Sequence, residues 1–438
     1  MDSALQTKLK SLPQVPRFES TLVNDAKSAR AFIQAANGNC EAATKQSVRD
    51  AKEAFFRRHA ADMYAELTAN FSKQRRVVEL VYDAAERFPG LLPTRSQINA
   101  ERALKKQIAK EGLEIDQGMF VAHVLADEKC GMHLVHAMLR PKREAEQLLA
   151  EFKRTGRAEI GSTTVERQGN VGIVTHSNPQ FINAEDDGAM AAMETGVDLV
   201  LLDDRIQVGV LRGGVLQHPK YPGKRVFNAG INLTHLYYGQ ISFIEFIIER
   251  ELGLLNKIYR GHSHPDRYGD QFEDIVEKPW LAVVESYAIG GGCQLLCVMD
   301  RVIAEPDTYF NLPASKEGFI PGSANLRLPR LAGIQKARHG IFFDKKFYAG
   351  TPDGMMICDE VVPPAEMDAA IERNTKQMLA AGFTSTVSNR KALRVGQETW
   401  DTYRRYMATY SRQQCLCFYD QALITNLEHS WQPQKRRM

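Results

Sequence analysis

Two glycine-centred segments carry residue types suited to chemistry done by the backbone itself. One is Arg225-Val-Phe-Asn-Ala-Gly-Ile-Asn-Leu233. The other is Glu285-Ser-Tyr-Ala-Ile-Gly-Gly-Gly-Cys-Gln-Leu295, set between a strand-like run and a helix-like one. Glycines at such a junction let a ligand approach closely and leave N–H groups pointing at it, an arrangement that favours negative charge. Either segment alone reads equally well as a tight turn. Metal chemistry has a weaker case. His262-Ser-His264-Pro-Asp266 contains His-x-Asp, which with the distant His339 would suit a non-haem iron facial triad. Such a motif belongs on a β-scaffold, and here it lies in a loop-like stretch among Tyr259, Arg260, Arg267 and Tyr268. His133 and His136 read as helix surface and core. Cys40, Cys130, Cys293, Cys297, Cys358, Cys415 and Cys417 have no zinc-like spacing and read as reduced, packed thiols. Neither Gly-x-Gly-x-x-Gly nor a P-loop is present for a nucleotide cofactor.

Together, and in this order, the two glycine segments resemble the crotonase (enoyl-CoA hydratase/isomerase) superfamily. A third segment agrees: Asn311-Leu-Pro-Ala-Ser-Lys-Glu-Gly-Phe-Ile-Pro-Gly322, followed by Arg327-Leu-Pro-Arg330 and Gly333. The resemblance runs from about Val165 to Pro363. It implies an α/β fold with a core spiral of ββα turns, assembled as trimers or dimers of trimers. It also implies an oxyanion hole made by the N–H groups of Ile231 and Gly291, with Gly292 beside it. Ala229, Gly230 and Asn232 flank the first donor and are expected against the thioester. Lys220, Lys224 and Arg225 are expected near the nucleotide end of coenzyme A, although a solvated basic loop would look the same. Removing a proton next to a thioester carbonyl moves charge onto its oxygen, and each fixed donor can lower that barrier by roughly 3 kcal/mol.

The departures from the superfamily pattern are as informative as the matches. Hydratases carry one catalytic glutamate after Gly-Gly-Gly-Cys, where this chain has Gln294. They carry another after the proline of the third motif, where it has Ala314. An amide and a methyl group exchange no protons at neutral pH, so hydration is not expected. With both glutamates gone and a long helical N-terminal region, the chain resembles the (3,5-dihydroxyphenyl)acetyl-CoA 1,2-dioxygenases, cytoplasmic enzymes of glycopeptide antibiotic assembly. That likeness implies molecular oxygen as co-substrate, no metal or organic cofactor, and an arylglyoxylate and free coenzyme A as products. An isomerase, a thioesterase or a catalytically dead thioester-binding subunit are the alternatives within the superfamily.

Three polar side chains match functional positions of the dioxygenases. Glu185 would bind a ring hydroxyl or assist proton transfer, against the reading of a helix N-terminal carboxylate. Arg250 would bind ring hydroxyls or a phenolate, against a salt bridge to Glu245, Glu249 or Glu251. Gln294 would hydrogen-bond substrate or peroxide, against a polar residue at a helix start. Ile231, Leu233 and Ile320 would form an apolar oxygen pocket, although aliphatic residues are also ordinary core. If Arg250 and Glu185 orient the ring, substituting them is expected to lower turnover and to leave thermal stability nearly intact.

These residues need elements to hold them. Glu41 to Phe152 reads as helix almost throughout, from the spacing of Val48, Ala51, Phe55, Met63 and Leu67, then of Val77, Val81, Ala84 and Phe88 up to Pro89-Gly90. Ile98, Leu104 and Ile108 begin a further helix, and Val121 to Arg140 forms another. From Gly161 strands alternate with helices: Val171–Thr175, an amphipathic helix Ala189–Leu201, Ile206–Leu211, Leu281–Val284 and Arg301–Ala304. After Thr351 the chain returns to helix, with one long aromatic-rich segment from Leu393 to Asn426 expected on a partner subunit. The division is therefore a helical region 1–160, a catalytic core 161–350 and helical C-terminal segments 351–438 for oligomerisation. A net charge of +3 on 438 residues argues against nucleic acid and anionic membranes as partners. No run approaches the ~18 apolar residues of a membrane helix.

Overall fold

A computed structural model describes residues 17–18, 21–37, 42–263 and 275–436. Its centre is a seven-stranded sheet in the order β1-β2-β3-β4-β7-β9-β12. The strands are β1 (Arg157–Ile160), β2 (Thr163–Gln168), β3 (Val171–His176), β4 (Val208–Gly213), β7 (Trp280–Val284), β9 (Arg301–Ala304) and β12 (Glu360–Val361). β1, β2 and β3 pair antiparallel, and from β3 onward every pairing is parallel. Parallel strands are covered on both faces, which is why Trp280-Leu-Ala-Val-Val284 is uniformly apolar and uniformly buried. One face of the sheet meets Met367, Ala370 and Ile371 through Val210, Leu281, Val283 and Ile303. The other meets the main core, including the helix Asp187–Leu202. A hairpin of β5 (Val215–His218) and β6 (Tyr221–Arg225) follows β4. A small sheet, β11 (Phe347–Tyr348), β10 (Tyr309–Asn311) and β8 (Tyr287–Ile289), lies between the later turns.

The Asp187–Leu202 helix differs from the amphipathic element expected. Met190, Met193, Val197 and Leu201 are buried, but so are Glu194 and Asp198 on what should be its wet face. Lys257 Nζ reaches Glu194 at 2.8 Å and Asp198 at 2.7 Å, and His262 Nε2 lies 2.7 Å from Asp198. Arg76, from the N-terminal helical region, completes the cluster at 2.6 Å from Glu194 and 2.8 Å from Glu249. These charges are therefore a buried network that ties the N-terminal helices to the sheet region.

The N-terminal helices span Leu22–Asn37, Ala42–Leu67, Val77–Arg87, Arg95–Arg102, Glu114–Ala126, Glu128–Met138 and Arg143–Thr155. The single helix expected over Val121–Arg140 is two. Asp127 adopts an extended conformation and its carboxylate accepts from Cys130 N–H at 2.8 Å, a helix N-cap. Leu104 and Ile108 are exposed; the helix they were expected to continue ends at Arg102, and Ile108 falls in a separate 3-10 turn, Gln107–Ala109. The expected long C-terminal segment is three helices, Phe383–Gln397, Trp400–Phe418 and Gln421–Ser430, the last two opened by the caps Thr399 and Asp420. Tyr403, Tyr410 and Phe418 are buried within this chain, with Phe418 edge-on to Phe243 at 5.7 Å. The aromatic face expected on a partner is thus already covered. The most exposed large apolar side chains of the C-terminal half among the described residues are instead Phe342, Phe343, Leu393 and Val395.

Candidate active site

The two glycine segments run side by side. Ala229 N–H donates to Asn183 O at 3.2 Å, Glu185 N–H to Gly230 O at 2.7 Å, and Asn232 N–H to Glu185 O at 2.7 Å. On the other edge, Ile289 N–H donates to Asn228 O at 3.1 Å and Gly290 N–H to Asn311 O at 2.9 Å. All three motifs of the sequence are therefore stitched together by backbone hydrogen bonds. Gly230 has φ +78°, and a Cβ there would sit 2.7 Å from Ile289 O and 3.1 Å from Gly291 N, so only glycine fits. This contact seats Gly230, the residue before Ile231, directly against the Gly291 N–H. Ile231 N–H and Gly291 N–H have no protein acceptor among the described residues, and both residues line one cleft. Gly291 is the first residue of the helix Gly291–Leu296, whose opening N–H groups lack intrahelical partners. Gly292 is buried against Asn228, where a Cβ would lie 2.7 Å from its carbonyl oxygen. It permits close packing and is not among the residues that line the cleft.

The cleft encloses about 580 Å³ of space, part of it open to solvent. Glu185, Arg250 and Gln294 meet on one wall. Arg250 Nε and Nη2 grip both oxygens of Glu185, with Nη2 at 3.0 Å from Oε1. Nη1 donates to Gln294 Oε1 at 2.7 Å and Glu251 Oε1 at 3.2 Å, and Nη2 also donates to Gly291 O at 2.8 Å. A guanidinium has five N–H donors, so every one is committed to protein. Asn228 Nδ2 donates to Glu185 Oε1 at 2.6 Å. Because Gln294 Oε1 accepts from Arg250, its amide NH2 is the donor left on the cleft side.

Glu185 does not cap a helix, contrary to the alternative reading; the following helix is capped by Asp186, whose carboxylate accepts from Ala189 N–H at 2.9 Å. The salt-bridge reading of Arg250 holds for Glu251, but its main partner is the distant Glu185. Burial opposes ionisation of both groups, yet their mutual attraction outweighs it. The Glu185 carboxyl sits below the usual range and the Arg250 guanidinium above its own. Arg250 lies in consecutive π-helical turns, Phe243–Ile248 and Arg250–Leu255, a wide helix form often found at functional sites.

Other residues singled out from the sequence are placed as follows. Ala229, Gly230 and Ile320 line the cleft, and Phe246, Ile247 and Phe319 add apolar surface beside Ile231 and Ile320. Leu233 opens the short helix Leu233–Tyr237 and is not among the lining residues; Asn232 caps that helix, accepting from Thr234 N–H at 3.2 Å and His235 N–H at 3.1 Å. Lys220 and Lys224 are exposed on the β5–β6 hairpin, and Arg225 donates to Gly213 O at 3.0 Å. Ala314 lines the cleft where a hydratase would hold a glutamate. Glu251, named from the sequence only as a salt-bridge partner of Arg250, also lines it, as do Glu317, Tyr410 and Gln414, to which the sequence reading gave no role. Burial and the nearby Glu251 push the Tyr410 phenol well above its usual range, so it stays neutral.

Among the described residues no group of three or more His, Cys, Asp or Glu side chains is placed to hold a metal ion. His264 and Asp266 of the proposed iron motif lie outside the described residues. Within it, His262 is tied to Asp198, and His339 is exposed on the helix Ala324–Phe343. No helix among the described residues is long and apolar enough to cross a membrane.

Residues 166–412 match the enoyl-CoA hydratase/isomerase family. The chain is 44% identical to (3,5-dihydroxyphenyl)acetyl-CoA 1,2-dioxygenase of Amycolatopsis orientalis, over 86% of this chain and 85% of that one. It is 24% identical to short-chain-enoyl-CoA hydratase of Clostridium acetobutylicum, over 55% of this chain and 84% of that one. Among solved structures, an enoyl-CoA hydratase from Mycobacterium avium subsp. paratuberculosis K-10 superposes with a TM-score of 0.51 at 17% identity, covering 64% of this chain and 99% of that one. The structural match extends the likeness of the three motifs to the fold of about two thirds of the chain, and the chain belongs to the enoyl-CoA hydratase/isomerase (crotonase) superfamily of acyl-CoA enzymes.

Proposed function

We propose that the protein is a dioxygenase that converts (3,5-dihydroxyphenyl)acetyl-CoA and O2 to 3,5-dihydroxyphenylglyoxylate and free coenzyme A, without metal or organic cofactor. The observation that carries this reading is the 44% identity to the Amycolatopsis orientalis enzyme along most of both chains. The site is consistent with it: two backbone donors remain, while Gln294 and Ala314 stand where hydratases hold carboxylates.

In this reading the thioester oxygen sits between the N–H groups of Ile231 and Gly291, and loss of an α-proton gives an enolate that these donors stabilise. The aryl ring spreads the charge, and the carbanion passes one electron to O2. The radical and superoxide combine at the α-carbon to a peroxide anion, which attacks the thioester carbon and expels coenzyme A as thiolate. Loss of the second α-proton with cleavage of the O–O bond leaves the ketone and the carboxylate. Ile231, Ile320 and Phe246 offer oxygen an apolar neighbourhood. A ring hydroxyl reaching the Glu185–Arg250–Gln294 wall would meet the Gln294 amide and the remaining lone pairs of Glu185, with Arg250 positioning both. The exposed Lys220 and Lys224 are suited to the nucleotide phosphates.

The test is oxygen uptake on a panel of arylacetyl-CoA thioesters, with coenzyme A release measured in parallel. One O2 consumed per coenzyme A released, by colourless protein and after exhaustive chelation, is the expected result. Coenzyme A release without oxygen uptake would identify a thioesterase. Activity lost on chelation and restored by Fe(II) would move the chemistry to an iron centre.

A further inference from the structure

Enolate formation needs a base, and both hydratase glutamate positions are vacant. The short helix Ala314–Glu317 starts at Pro313, whose Cδ lies 4.0 Å from where a Cβ on Gly290 would be, so this helix abuts the glycine run of the oxyanion site. Ala314 and Glu317 are three residues apart on it and both line the cleft. Residues at i and i+3 share a helix face, and side chains lean toward the helix N-terminus. A glutamate at 317 therefore extends back over Ala314, and the small methyl there leaves it room. Gly318, in the left-handed region at φ +85°, ends the helix immediately afterwards.

We propose that the Glu317 carboxylate is the base that takes the α-proton of the bound thioester, an assignment that rests on the enolate reading above. The C–H bond breaks, its proton goes to a Glu317 oxygen, and the electron pair moves to the thioester oxygen held by Ile231 and Gly291. Among the described residues Glu317 has no hydrogen-bond or ion-pair partner to hold it in the charged form. The adjacent Lys316 is paired with Asp344. On the helices packed against it, Glu428 accepts from Tyr237 and Arg327 is paired with Glu398, while His429 lies in the last turn of the Gln421–Ser430 helix. The other charged groups lining the cleft, Glu185, Arg250 and Glu251, are bound to one another. Burial, reinforced by the Asp344 charge, pushes the Glu317 carboxyl up to about 8, which makes its ionised form an unusually strong base for a carboxylate.

Deuterium uptake at the α-carbon tests this without turnover. Phenylacetyl-CoA and (3,5-dihydroxyphenyl)acetyl-CoA are incubated anaerobically in D2O with wild type and Glu317→Gln, and label is read by mass spectrometry. Wild type is expected to exchange at a rate that climbs with pH and levels off above about 8. Glu317→Gln is expected to exchange about 100-fold or more slowly, with unchanged affinity for the thioester and without the pH-dependent limb. Glu317→Ala with added formate, which supplies a carboxylate to the vacated space, should recover part of the rate. Exchange in Glu317→Gln near the wild-type rate, or Glu317→Ala that formate does not rescue, overturns the assignment while leaving the enolate reading in place. Wild type that takes up no deuterium from either thioester overturns both.

Discussion

Arg250→Ala is the most informative single substitution, because the structure reverses what the sequence suggested for it. The guanidinium makes five hydrogen bonds in a site where Glu185 is fully buried and Glu251 nearly so. Removing it leaves two carboxylates without their cation. Breaking one partner out of a buried ion pair costs about 3–5 kcal/mol. For 438 residues the unfolding entropy is roughly 0.9 kcal/mol/K, so Tm should fall by about 3–5 °C. The expectation of near-intact stability therefore does not survive the geometry, and loss of activity alone will not show that Arg250 orients substrate.

The pH dependence separates the charge effect from simple loss of packing. In wild type the Glu185 carboxyl is held below its ordinary 4.5, so its stabilising contribution is complete above 4.5 and disappears only as pH falls through the lower folded value. In Arg250→Ala the main force opposing burial is gone, with only the Asn228 hydrogen bond and the nearby His176 left against it, and that carboxyl rises. The penalty is then present at high pH and fades as Glu185 takes up a proton. Urea or thermal unfolding should show a wide gap between variant and wild type at pH 8 and a narrow one near pH 5. The double variant Glu185→Gln/Arg250→Met should be more stable than Arg250→Ala at pH 8. An equal deficit at both pH values, or none at pH 8, would refute the buried-pair argument.

Further outcomes follow from the same geometry. Crotonyl-CoA hydration should be undetectable, because Gln294 and Ala314 supply no acid or base; hydration at ordinary crotonase rates would show that another group has taken over. Gly230→Ala places a methyl 2.7 Å from Ile289 O in a left-handed backbone position, so it should part the two donor segments and lower kcat by about 100-fold, the size of losing one oxyanion donor. A kcat within twofold of wild type would mean the segments need not touch. Deleting residues 1–152 removes the Glu114–Ala126 helix, against which Trp400–Phe418 packs, and should give aggregated protein by light scattering rather than a well-behaved smaller species.

The parts of the site that were legible in the sequence are those where backbone geometry dictates residue type over a short stretch. A left-handed Gly230 against Ile289 O, and a strand turning into a helix at Gly290-Gly291-Gly292, permit few alternatives and leave compact signatures. The strands β3, β4, β7 and β9 were visible for a related reason, since parallel strands covered on both faces must be apolar throughout. Side-chain partnerships left no such mark. Glu185 and Arg250 are 65 positions apart, and locally one resembled a helix cap and the other one charge in an acidic run. Glu194 and Asp198, four apart, have the spacing of a solvated helix face, and it is partners distant in sequence, Lys257, Arg76, His262 and Lys142, that make them interior. The helix breaks at Asp127, Thr399 and Asp420 lack glycine or proline; their signal was the capping residue type itself, which an apolar periodicity overrides when read alone.

Glu249, Arg250 and Glu251 show why so long a helical region accompanies this core. Each of the three consecutive side chains ties to a different part of the chain. Glu249 accepts from Arg76, which also donates to Met138 O and Arg140 O at 3.1 Å and so gathers the N-terminal helices. Arg250 reaches Glu185, on the strand-like segment paired with Ile231, and the carbonyl of Gly291. Glu251 accepts from Ser323 N–H at 2.8 Å, immediately after the third motif, while its own carbonyl accepts from Tyr403 of the C-terminal helices at 2.7 Å. The position of the guanidinium relative to the Ile231 and Gly291 N–H groups is thus fixed by five ties at once. The sheet region alone contains three of these anchors, Glu185, Gly291 and Ser323. The N-terminal helices and the Trp400–Phe418 helix supply the others, and the latter also brings Tyr410 and Gln414 to the cleft. Their packing holds the cleft wall in place, so substitutions far from the thioester, at Arg76 or Tyr403, act on the same geometry as substitutions within it.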